Sequence, residues 1–366
     1  MIAQRYQLEN YVKILIGITI TLLIIGLIFI YSASSVFALE QQGSAYYFLK
    51  KQIIGLFLGT LGALFCYTIP LKLLKQLTPL FFWGSWLLTL GTLIPGISRT
   101  IHGSSRWLSI GGFSFQPSDL LKITLVLFVA RFLEKKSTTV FTFKKSFVPF
   151  LILIGLTSIV LLRQPDFGLT VTLATTSMLM IFIAGLPLLY VGIALGTAIP
   201  AFGVLILAFP YRLKRILVFL NPWKDPKGAG FQIIQSLIAI GSGGWFGIGI
   251  GESKQKFFYL PMQHTDFIFS IIAEETGFIG ASLILILYAL FLYFGCKIAL
   301  QLDDLFARFT VIGLTLIITL QALINIFVTT GLLPTKGIGL PFISYGNSAL
   351  ICSLCMIGII ANVAKK

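Results

Sequence analysis

Charged residues are scarce in this chain: they make up 11% of its 366 residues, whereas 57% of the residues are hydrophobic. A soluble globular domain carries a charge at about a quarter of its positions. The composition therefore excludes a soluble protein. Apolar stretches recur from one end of the sequence to the other, and each is about 20 residues long, enough to cross the hydrocarbon core of a bilayer. The sequence predicts a polytopic membrane protein.

Residues that bind metals or form disulfides are also scarce. The chain has two histidines and four cysteines, and all four cysteines lie in or at the ends of predicted spans. A disulfide framework is therefore not expected, and Cys352-x-x-Cys355 is interpreted as a packing feature. The predicted loops contain no HExxH and no GxSxG motif, so metallopeptidase and serine hydrolase chemistry find no support.

The apolar pattern predicts an all-α polytopic membrane protein with ten transmembrane helices, in a single domain over residues 1–366. A large extracytoplasmic loop, about residues 211–265, is expected between helices 7 and 8. The first span is interpreted as an uncleaved anchor because its apolar run is too long for a signal peptide. The ten spans lie near 13–35, 52–70, 77–96, 117–133, 147–163, 167–186, 188–210, 267–296, 306–330 and 341–363.

The net charge of +15 indicates both the orientation of the chain in the membrane and the class of partner that it binds. An even number of spans puts both termini on one side, and placing them in the cytoplasm gives that side more cations than the short outer loops. The long outer loop keeps further cations against this rule. Because the sequence has no basic helix and no aromatic RNA-binding motif, nucleic acid is not the expected partner. The expected partner is an anionic lipid or an anionic lipid-linked substrate.

The stretch from Gly247 to Gly280 carries charge into this apolar sequence. Asp266 is expected in the first turn of a membrane helix, where exposed N–H groups and the helix dipole favour an anion. This position makes Asp266 the candidate catalytic carboxylate. His264 is too close in sequence to share a helix face with it and is expected to position or lock the loop through a hydrogen bond.

Other acids near the predicted outer side leave alternatives open. Asp119 and Lys122 are spaced to share one helix face, so they form either a neutralising pair or a site in which Lys122 pairs with a carboxylate of another span, such as Asp266. Asp166, in RQPDFG, either locks a turn or takes part in catalysis. Glu274 and Glu275 are expected to hold neighbouring helices by hydrogen bonds, because an ionisable group inside a span needs a partner.

One carboxylate surrounded by cations suits inverting glycosyl transfer from a lipid pyrophosphate. A base removes the proton from the acceptor hydroxyl, and the departing pyrophosphate is stabilised by cations. A glycoside hydrolase would instead need a pair of carboxylates. The cations expected around Asp266 are Arg106, Lys122, Arg212, Lys214, Arg215, Lys254, Lys256 and Lys336.

Five sequence blocks resemble those of the SEDS family (shape, elongation, division and sporulation), which includes the FtsW, RodA and SpoVE types. The loop GIGESKQKFFYLP looks more like the division-type FtsW version than the RodA version. The blocks follow the family order over nearly the whole chain: YSASS at 31–35, SSRWLSIGGFSFQPSDLLK at 104–122, RQPDFG at 163–168, LPMQHTDFIFSIIAEE at 260–275 and GLLPTKGIGLPFISYGNS at 331–348.

The resemblance implies a peptidoglycan glycosyltransferase that polymerises lipid II on the outer face of the bacterial cytoplasmic membrane. It implies a class B penicillin-binding protein transpeptidase and divisome membrane proteins as partners, and it makes Asp266 the catalytic base in a cleft shared with Asp119 and Lys122. Combined with the cations above, the substrate-binding candidates are Arg106, Lys122, Asp119, Lys336, His264, Lys254 and Lys256.

The chain departs from the family pattern at Asp119, Met262 and Asn347, where the family usually has glutamate, an acid and glycine. A lipid II flippase, an elongation polymerase of the RodA type and a non-catalytic scaffold stay as alternatives. No cofactor site is identified from the sequence, and a divalent cation, Mg²⁺ or Mn²⁺, is left open.

Overall fold

The computed structural model describes residues 2–94, 98–101, 104–110, 113–137, 143–207, 210–228, 230–256, 260–261 and 263–365. In these ranges the chain forms twelve α-helices. They are α1 (Ile2–Gln42), α2 (Tyr47–Thr68), α3 (Leu71–Gly91), α4 (Pro117–Ser137), α5 (Val148–Arg163), α6 (Phe167–Ile183), α7 (Leu188–Leu207), α8 (Pro210–Leu220), α9 (Phe231–Ser242), α10 (Ile268–Leu300), α11 (Leu305–Thr329) and α12 (Asn347–Val363).

Ten of these helices coincide with the ten predicted spans, and α8 and α9 lie within the predicted long loop. The prediction of a helical, polytopic membrane protein is confirmed. Helix α12 begins later than the predicted span because the Gly- and Pro-rich segment before it is irregular. Among the described residues, five helical segments are by themselves long and apolar enough to cross a membrane: Tyr6–Gln42, Tyr47–Thr68, Phe143–Arg163, Ile268–Leu300 and Leu305–Thr329.

A small antiparallel sheet between α3 and α4 was not foreseen. Its strands are β1 (Ser98–Ile101), β2 (Ser104–Ile110) and β3 (Phe113–Phe115), in the order β1-β2-β3. Leu108 pairs with both Ser98 and Phe115. The sheet presents Arg106 from its central strand.

The helices pack around one continuous apolar core, whose buried side chains run from Leu8 to Ala364. Small residues allow a close contact between α2 and α12: a Cβ at Gly358 would lie 2.2 Å from the carbonyl oxygen of Ala63. Glycine at such a crossing lets two membrane helices approach at backbone distance. Cys352 is buried in this core, which agrees with its interpretation as a packing residue.

Helix α10 is broken at Gly277, where φ is +67° and ψ is −164°. The loop after α9 supplies hydrogen bonds at the break: Ile248 N–H donates to the Glu274 carbonyl at 3.1 Å, and Phe278 N–H donates to the Gly244 carbonyl at 2.8 Å. Backbone groups at membrane depth must be satisfied within the protein. This loop therefore docks on α10 through main-chain contacts.

The side chains of Glu274 and Glu275 both accept hydrogen bonds from the loop after α9, and Glu275 also contacts α1. Glu275 Oε1 accepts a hydrogen bond from Ser32 Oγ of α1 at 2.6 Å, so it joins two helices as expected. Glu274 instead accepts from Ser253 Oγ and from Lys254 N–H. Its partners belong to the loop rather than to a neighbouring helix, which corrects the expectation for this residue.

Docking of this loop gives a stability prediction for Gly247→Ala. Gly247 has φ +81°, and a Cβ there would lie 2.1 Å from the Glu275 carbonyl oxygen, whereas Gly251 has φ +88° with open space around it. Both alanine variants are strained by about 1–2 kcal/mol. Only Gly247→Ala also separates the loop from α10, so we expect it to cost about 2 kcal/mol more, the sum of two lost hydrogen bonds.

Thermal unfolding of the purified variants in detergent measures this difference. Gly251→Ala is the matched control because it carries the same backbone strain without the collision. Equal shifts of the unfolding midpoint in the two variants would contradict the docking role of Gly247.

Candidate active site

Asp266 lies in a turn just before α10. The helix begins at Ile268, and Phe267 occupies its N-cap position. Asp266 therefore precedes the cap, whereas the sequence predicted it in the first turn of the helix. The Asp266 carbonyl accepts a hydrogen bond from Asn325 Nδ2 of α11 at 2.7 Å, and the same amide donates to the Ile338 carbonyl at 2.6 Å. The Asn325 amide therefore links Asp266 to the segment before α12, residues 330–346.

The Asp266 carboxylate is half-buried and faces this same segment. A Cβ at Gly337 would lie 3.4 Å from Asp266 Oδ2, so glycine leaves space beside the carboxylate. Burial raises the pKa of Asp266 to about 7; Arg106 and Arg215 lower it, and Asp166 raises it. A carboxyl group with a pKa near 7 can both accept and release a proton at neutral pH.

Arg106 binds the turn between α5 and α6. Its Nε donates to the Gln164 carbonyl at 2.8 Å and one terminal nitrogen donates to the Pro165 carbonyl at 2.6 Å. The other terminal nitrogen lies 3.3 Å from Asp166 Oδ2. Asp166 in turn caps α6 by accepting from Leu169 N–H at 3.1 Å. These contacts support the turn-locking interpretation of Asp166.

Asp119 and Lys122 form a buried pair at the start of α4. Lys122 Nζ lies 2.8 Å from Asp119 Oδ1, and both side chains are less than a tenth exposed. The neutralising pair is therefore observed, and the alternative pairing of Lys122 with Asp266 is not. Lys122 Nζ also donates to Gln321 Oε1 at 3.4 Å, and Gln321 Nε2 donates to the Gly339 carbonyl at 3.0 Å. Gln321 links the pair to the segment that faces Asp266.

Lys336 belongs to the segment before α12, and its side chain packs against Phe167 at the start of α6. Its Nζ is 4.9 Å from the centroid of the Phe167 ring, a cation–π distance, and burial lowers the pKa of Lys336. Arg215 of α8 donates to the neighbouring Thr335 carbonyl at 3.1 Å. Arg215 therefore contacts the segment that carries Lys336 and Gly337, and it also lowers the pKa of Asp266.

His264 points into an aromatic cluster. Its ring centroid is 4.4 Å from that of Phe48 and 5.7 Å from that of Tyr345, and its carbonyl accepts from Tyr345 N–H at 2.9 Å. Burial lowers the pKa of His264 to about 4, and its Nδ1 has no hydrogen-bond partner among the described residues. His264 therefore packs its ring in the aromatic cluster and joins the loop to Tyr345 through a main-chain hydrogen bond.

Lys254 and Lys256 lie apart from these cations. Lys254 is exposed and reaches Glu274 only through its main-chain N–H. Lys256 is buried, donates to the Gly251 carbonyl and lines a groove between α1 and α2. Arg106 and Arg215 lie close enough to Asp266 to lower its pKa, whereas Lys254 and Lys256 are not among the groups that shift it. The side chain of Arg212 lies outside the described residues.

A family model for cell cycle proteins of the FtsW, RodA and SpoVE type matches residues 13–366. The chain belongs to this family. It is 41% identical to a probable peptidoglycan glycosyltransferase FtsW of Geobacter sp. (strain M18), over 98% of both chains. It is also 41% identical to stage V sporulation protein E of Bacillus subtilis (strain 168), over 96% of both chains.

Solved structures of FtsW/RodA/SpoVE relatives share the fold. A chain of a peptidoglycan synthase complex, described as coordinating polymerization and crosslinking, superposes with a TM-score of 0.79 at 30% identity over 96% of both chains. The rod shape determining protein RodA of Thermus thermophilus superposes with a TM-score of 0.69 at 26% identity, over 96% of this chain and 95% of RodA. The helical architecture is therefore that of a known membrane-protein fold.

Sequence reasoning missed the amides that organise the site of this FtsW/RodA/SpoVE member. Gln321 and Asn325 are spaced by one turn on α11, inside an otherwise apolar span, and both donate to the segment before α12. Polar side chains within a span usually mark helix contacts or function. The one-turn spacing of these two amides in an apolar span is the sequence signal that could have identified them.

Of the three departures from the family pattern, Met262 lies outside the described residues and Asn347 begins α12.

The carboxylates around Asp266 do not form a metal-ligand set. Asp119 is paired with Lys122, and Asp166 faces Arg106 and caps α6. Within the described residues, no three His, Cys, Asp or Glu side chains are grouped so that they could hold a metal ion. The donor set does not fit Mg²⁺ or Mn²⁺ held by protein side chains alone, since such ions prefer several oxygen ligands.

Proposed function

We propose that this protein polymerises lipid II into glycan strands at the outer face of the cytoplasmic membrane. The observation that carries the proposal is the half-buried Asp266 carboxylate, whose pKa of about 7 is influenced by Arg106 and Arg215, in a chain of the FtsW/RodA/SpoVE family. Relatives in this family are named as probable peptidoglycan glycosyltransferases.

In the proposed reaction, Asp266 takes the proton from a hydroxyl of the acceptor sugar. The hydroxyl oxygen then attacks the anomeric carbon of the donor sugar, a new C–O bond forms with inversion, and the bond to undecaprenyl pyrophosphate breaks. The pyrophosphate leaves with the bond electrons, and Lys336 and Arg215 are placed to stabilise its charge. The carboxyl proton is released to water afterwards.

The remaining candidates have supporting roles in this proposal. Arg106 holds the Gln164–Asp166 turn and lowers the pKa of Asp266, while Asp119 and Lys122 support the segment facing Asp266 through Gln321. His264 positions the loop before α10. Lys254 and Lys256 contact the loop before α10 and are assigned no direct contact with the pyrophosphate.

Polymerisation of purified lipid II by the purified protein tests the proposal. Glycan strands formed by the protein, alone or with its transpeptidase, would support the assignment. Movement of labelled lipid II across a vesicle membrane without strand formation would indicate the flippase alternative. The buried ions that such a path could use, Asp119, Lys122, Glu274 and Glu275, are engaged in the contacts described above.

We also propose a division role, with a class B penicillin-binding protein and divisome membrane proteins as partners. Support comes from the FtsW relatives and from the similar chain found in a peptidoglycan synthase complex. An elongation role of the RodA type would be indicated if loss of the protein changed cell shape while septa still formed.

The proposed orientation places both termini in the cytoplasm of the bacterial cell. In a background lacking the native cysteines, Asp225→Cys should react with a membrane-impermeant thiol reagent added outside intact cells. Asp303→Cys, in the short connection between α10 and α11, should react only after the membrane is permeabilised. Outside labelling of Asp303→Cys would overturn the orientation.

Activity is expected to rise with pH through about 7. Only the deprotonated Asp266 accepts a proton, and its pKa is raised by burial to about 7. Arg106→Gln removes a positive charge that lowers this pKa, so the acid limb of the kcat/KM profile should move to higher pH. Arg106→Lys keeps the charge and is the matched control. An unchanged acid limb in Arg106→Gln would show that the charge of Arg106 does not affect the pKa of Asp266.

A further inference from the structure

Three consecutive carbonyls in the turn that contains Asp266 each accept a hydrogen bond from another part of the chain. The donors and acceptors are Tyr345 N–H to His264 at 2.9 Å, Ser344 Oγ to Thr265 at 2.6 Å and Asn325 Nδ2 to Asp266 at 2.7 Å. None of these three donors belongs to α10, the helix that the turn precedes. The backbone at Asp266 is therefore held by α11 and by the segment before α12.

The hydroxyl of Ser344 connects this segment to the turn. It donates to the Thr265 carbonyl, and it accepts from Leu340 N–H at 2.7 Å. The Ser344 N–H in turn donates to the Leu340 carbonyl at 2.8 Å. Gly339 makes room for this arrangement, since a Cβ there would lie 3.0 Å from Ser344 Cβ. Both the donor and an acceptor position of the hydroxyl are used, so its orientation is fixed.

The segment is itself anchored in the apolar core. Leu340 and Ile343 are buried, and the hydroxyl of Tyr288 donates to the Pro341 carbonyl. Phe342 is also buried and has φ +67°. A bulky residue rarely adopts this conformation, which persists only where the surrounding structure imposes it. The segment is therefore a firm support, and the turn with Asp266 is attached to it.

We propose that Ser344 is a positioning residue for glycosyl transfer: together with Asn325, it holds the backbone of residues 264–266 so that the Asp266 carboxylate stays beside Gly337. This inference rests on the proposed function, in which Asp266 is the base. Ser344 contacts the turn through the Thr265 carbonyl and acts on the reaction only through Asp266. A general base works only within hydrogen-bond reach of the proton that it removes, so a fixed backbone keeps the carboxylate in reach.

Ser344→Ala tests the proposal in the purified full-length protein. It removes the link to Thr265 and should lower kcat by about ten- to a hundred-fold, because a misplacement of about 1 Å can cost about 10²-fold in rate. KM for lipid II should change little. Ser353→Ala is the matched control: Ser353 is also buried, but its hydroxyl donates to the Ala349 carbonyl within α12 at 2.7 Å.

The pH profile separates positioning from a loss of folded protein. Burial raises the pKa of Asp266 to about 7. A turn released from Ser344 admits water to the carboxylate, so the pKa should fall and the acid limb of kcat/KM should move to lower pH. The charged groups that act on Asp266 are unchanged in the variant: Arg106, Arg215 and Asp166. A smaller folded fraction would scale the whole profile without moving it.

A second variant removes another member of the clamp. Asn325→Ala frees the Asp266 carbonyl and should move the acid limb in the same direction as Ser344→Ala. Wild-type kcat together with an unmoved acid limb in Ser344→Ala would overturn the positioning role. Absence of glycan strands with the wild-type protein would instead contradict the proposed function.

Hydrogen–deuterium exchange tests the clamp without any activity assay. In Ser344→Ala, the N–H groups of Leu340 and Tyr345 should exchange faster than in the wild type, because their acceptors are the Ser344 hydroxyl and the attached turn. Ser353→Ala should leave both rates unchanged. Equal exchange of Leu340 and Tyr345 in Ser344→Ala and the wild type would show that the hydroxyl does not hold the turn, and it would overturn the proposal.

Discussion

Asp266→Asn is expected to lower the rate of glycan polymerisation by about 10²–10⁴-fold, the usual cost of losing a positioned general base. Asparagine has nearly the same shape as aspartate, and the main-chain contact to Asn325 does not involve the carboxylate. The variant should therefore insert and fold like the wild type. Its amide cannot take the proton of the acceptor hydroxyl, so the loss should appear in kcat rather than in lipid II binding.

The assay compares initial rates with purified lipid II at saturating concentration, with folding checked by thermal unfolding. Asp225→Asn is a suitable control: Asp225 lies in the same predicted outer loop, near Lys214 and away from Asp266. Near-wild-type strand formation by Asp266→Asn would end the assignment of Asp266 as base. Loss of activity in both aspartate variants would point to a general effect of outer-side charge.

The apolar pattern predicted the helices because a membrane span is specified by a property of about 20 consecutive residues. Asp266 is a candidate catalytic residue for a related reason, since a lone acid next to an apolar span is conspicuous in the sequence. The break of α10 at Gly277 could not be predicted, because it depends on the docking of a loop that is distant in sequence. The sheet carrying Arg106 could not be predicted either, because its strands are only three to seven residues long and lack the apolar length of a membrane span.

The side-chain partners could not be predicted from the sequence. Lys122 has a near partner at helical spacing and possible partners on other spans, and only the packing of α4 against α11 decides between them. Arg106 shows the same limit. A cation near a candidate site suggests substrate binding, yet in the fold its nitrogens contact Gln164, Pro165 and Asp166.

Breaking the Asp119–Lys122 pair is expected to cause the largest loss of stability. Lys122→Met removes the cation and leaves Asp119 buried beside an apolar side chain, which for a buried pair costs about 3–5 kcal/mol. It also removes the Lys122 contact to Gln321, so the segment facing Asp266 loses support. We expect a lower unfolding midpoint together with reduced polymerisation.

The double variant Asp119→Asn/Lys122→Met separates charge from packing. Because it leaves no uncompensated carboxylate, it should recover a large part of the stability lost in Lys122→Met, as replacement of both members of a buried pair often does. Lys214→Met serves as the control for an exposed pair, since Lys214 is 63% exposed and lies 3.4 Å from Asp225; its loss should cost about 0–1 kcal/mol. Lys122→Met as stable as Lys214→Met would show that water or another cation compensates Asp119.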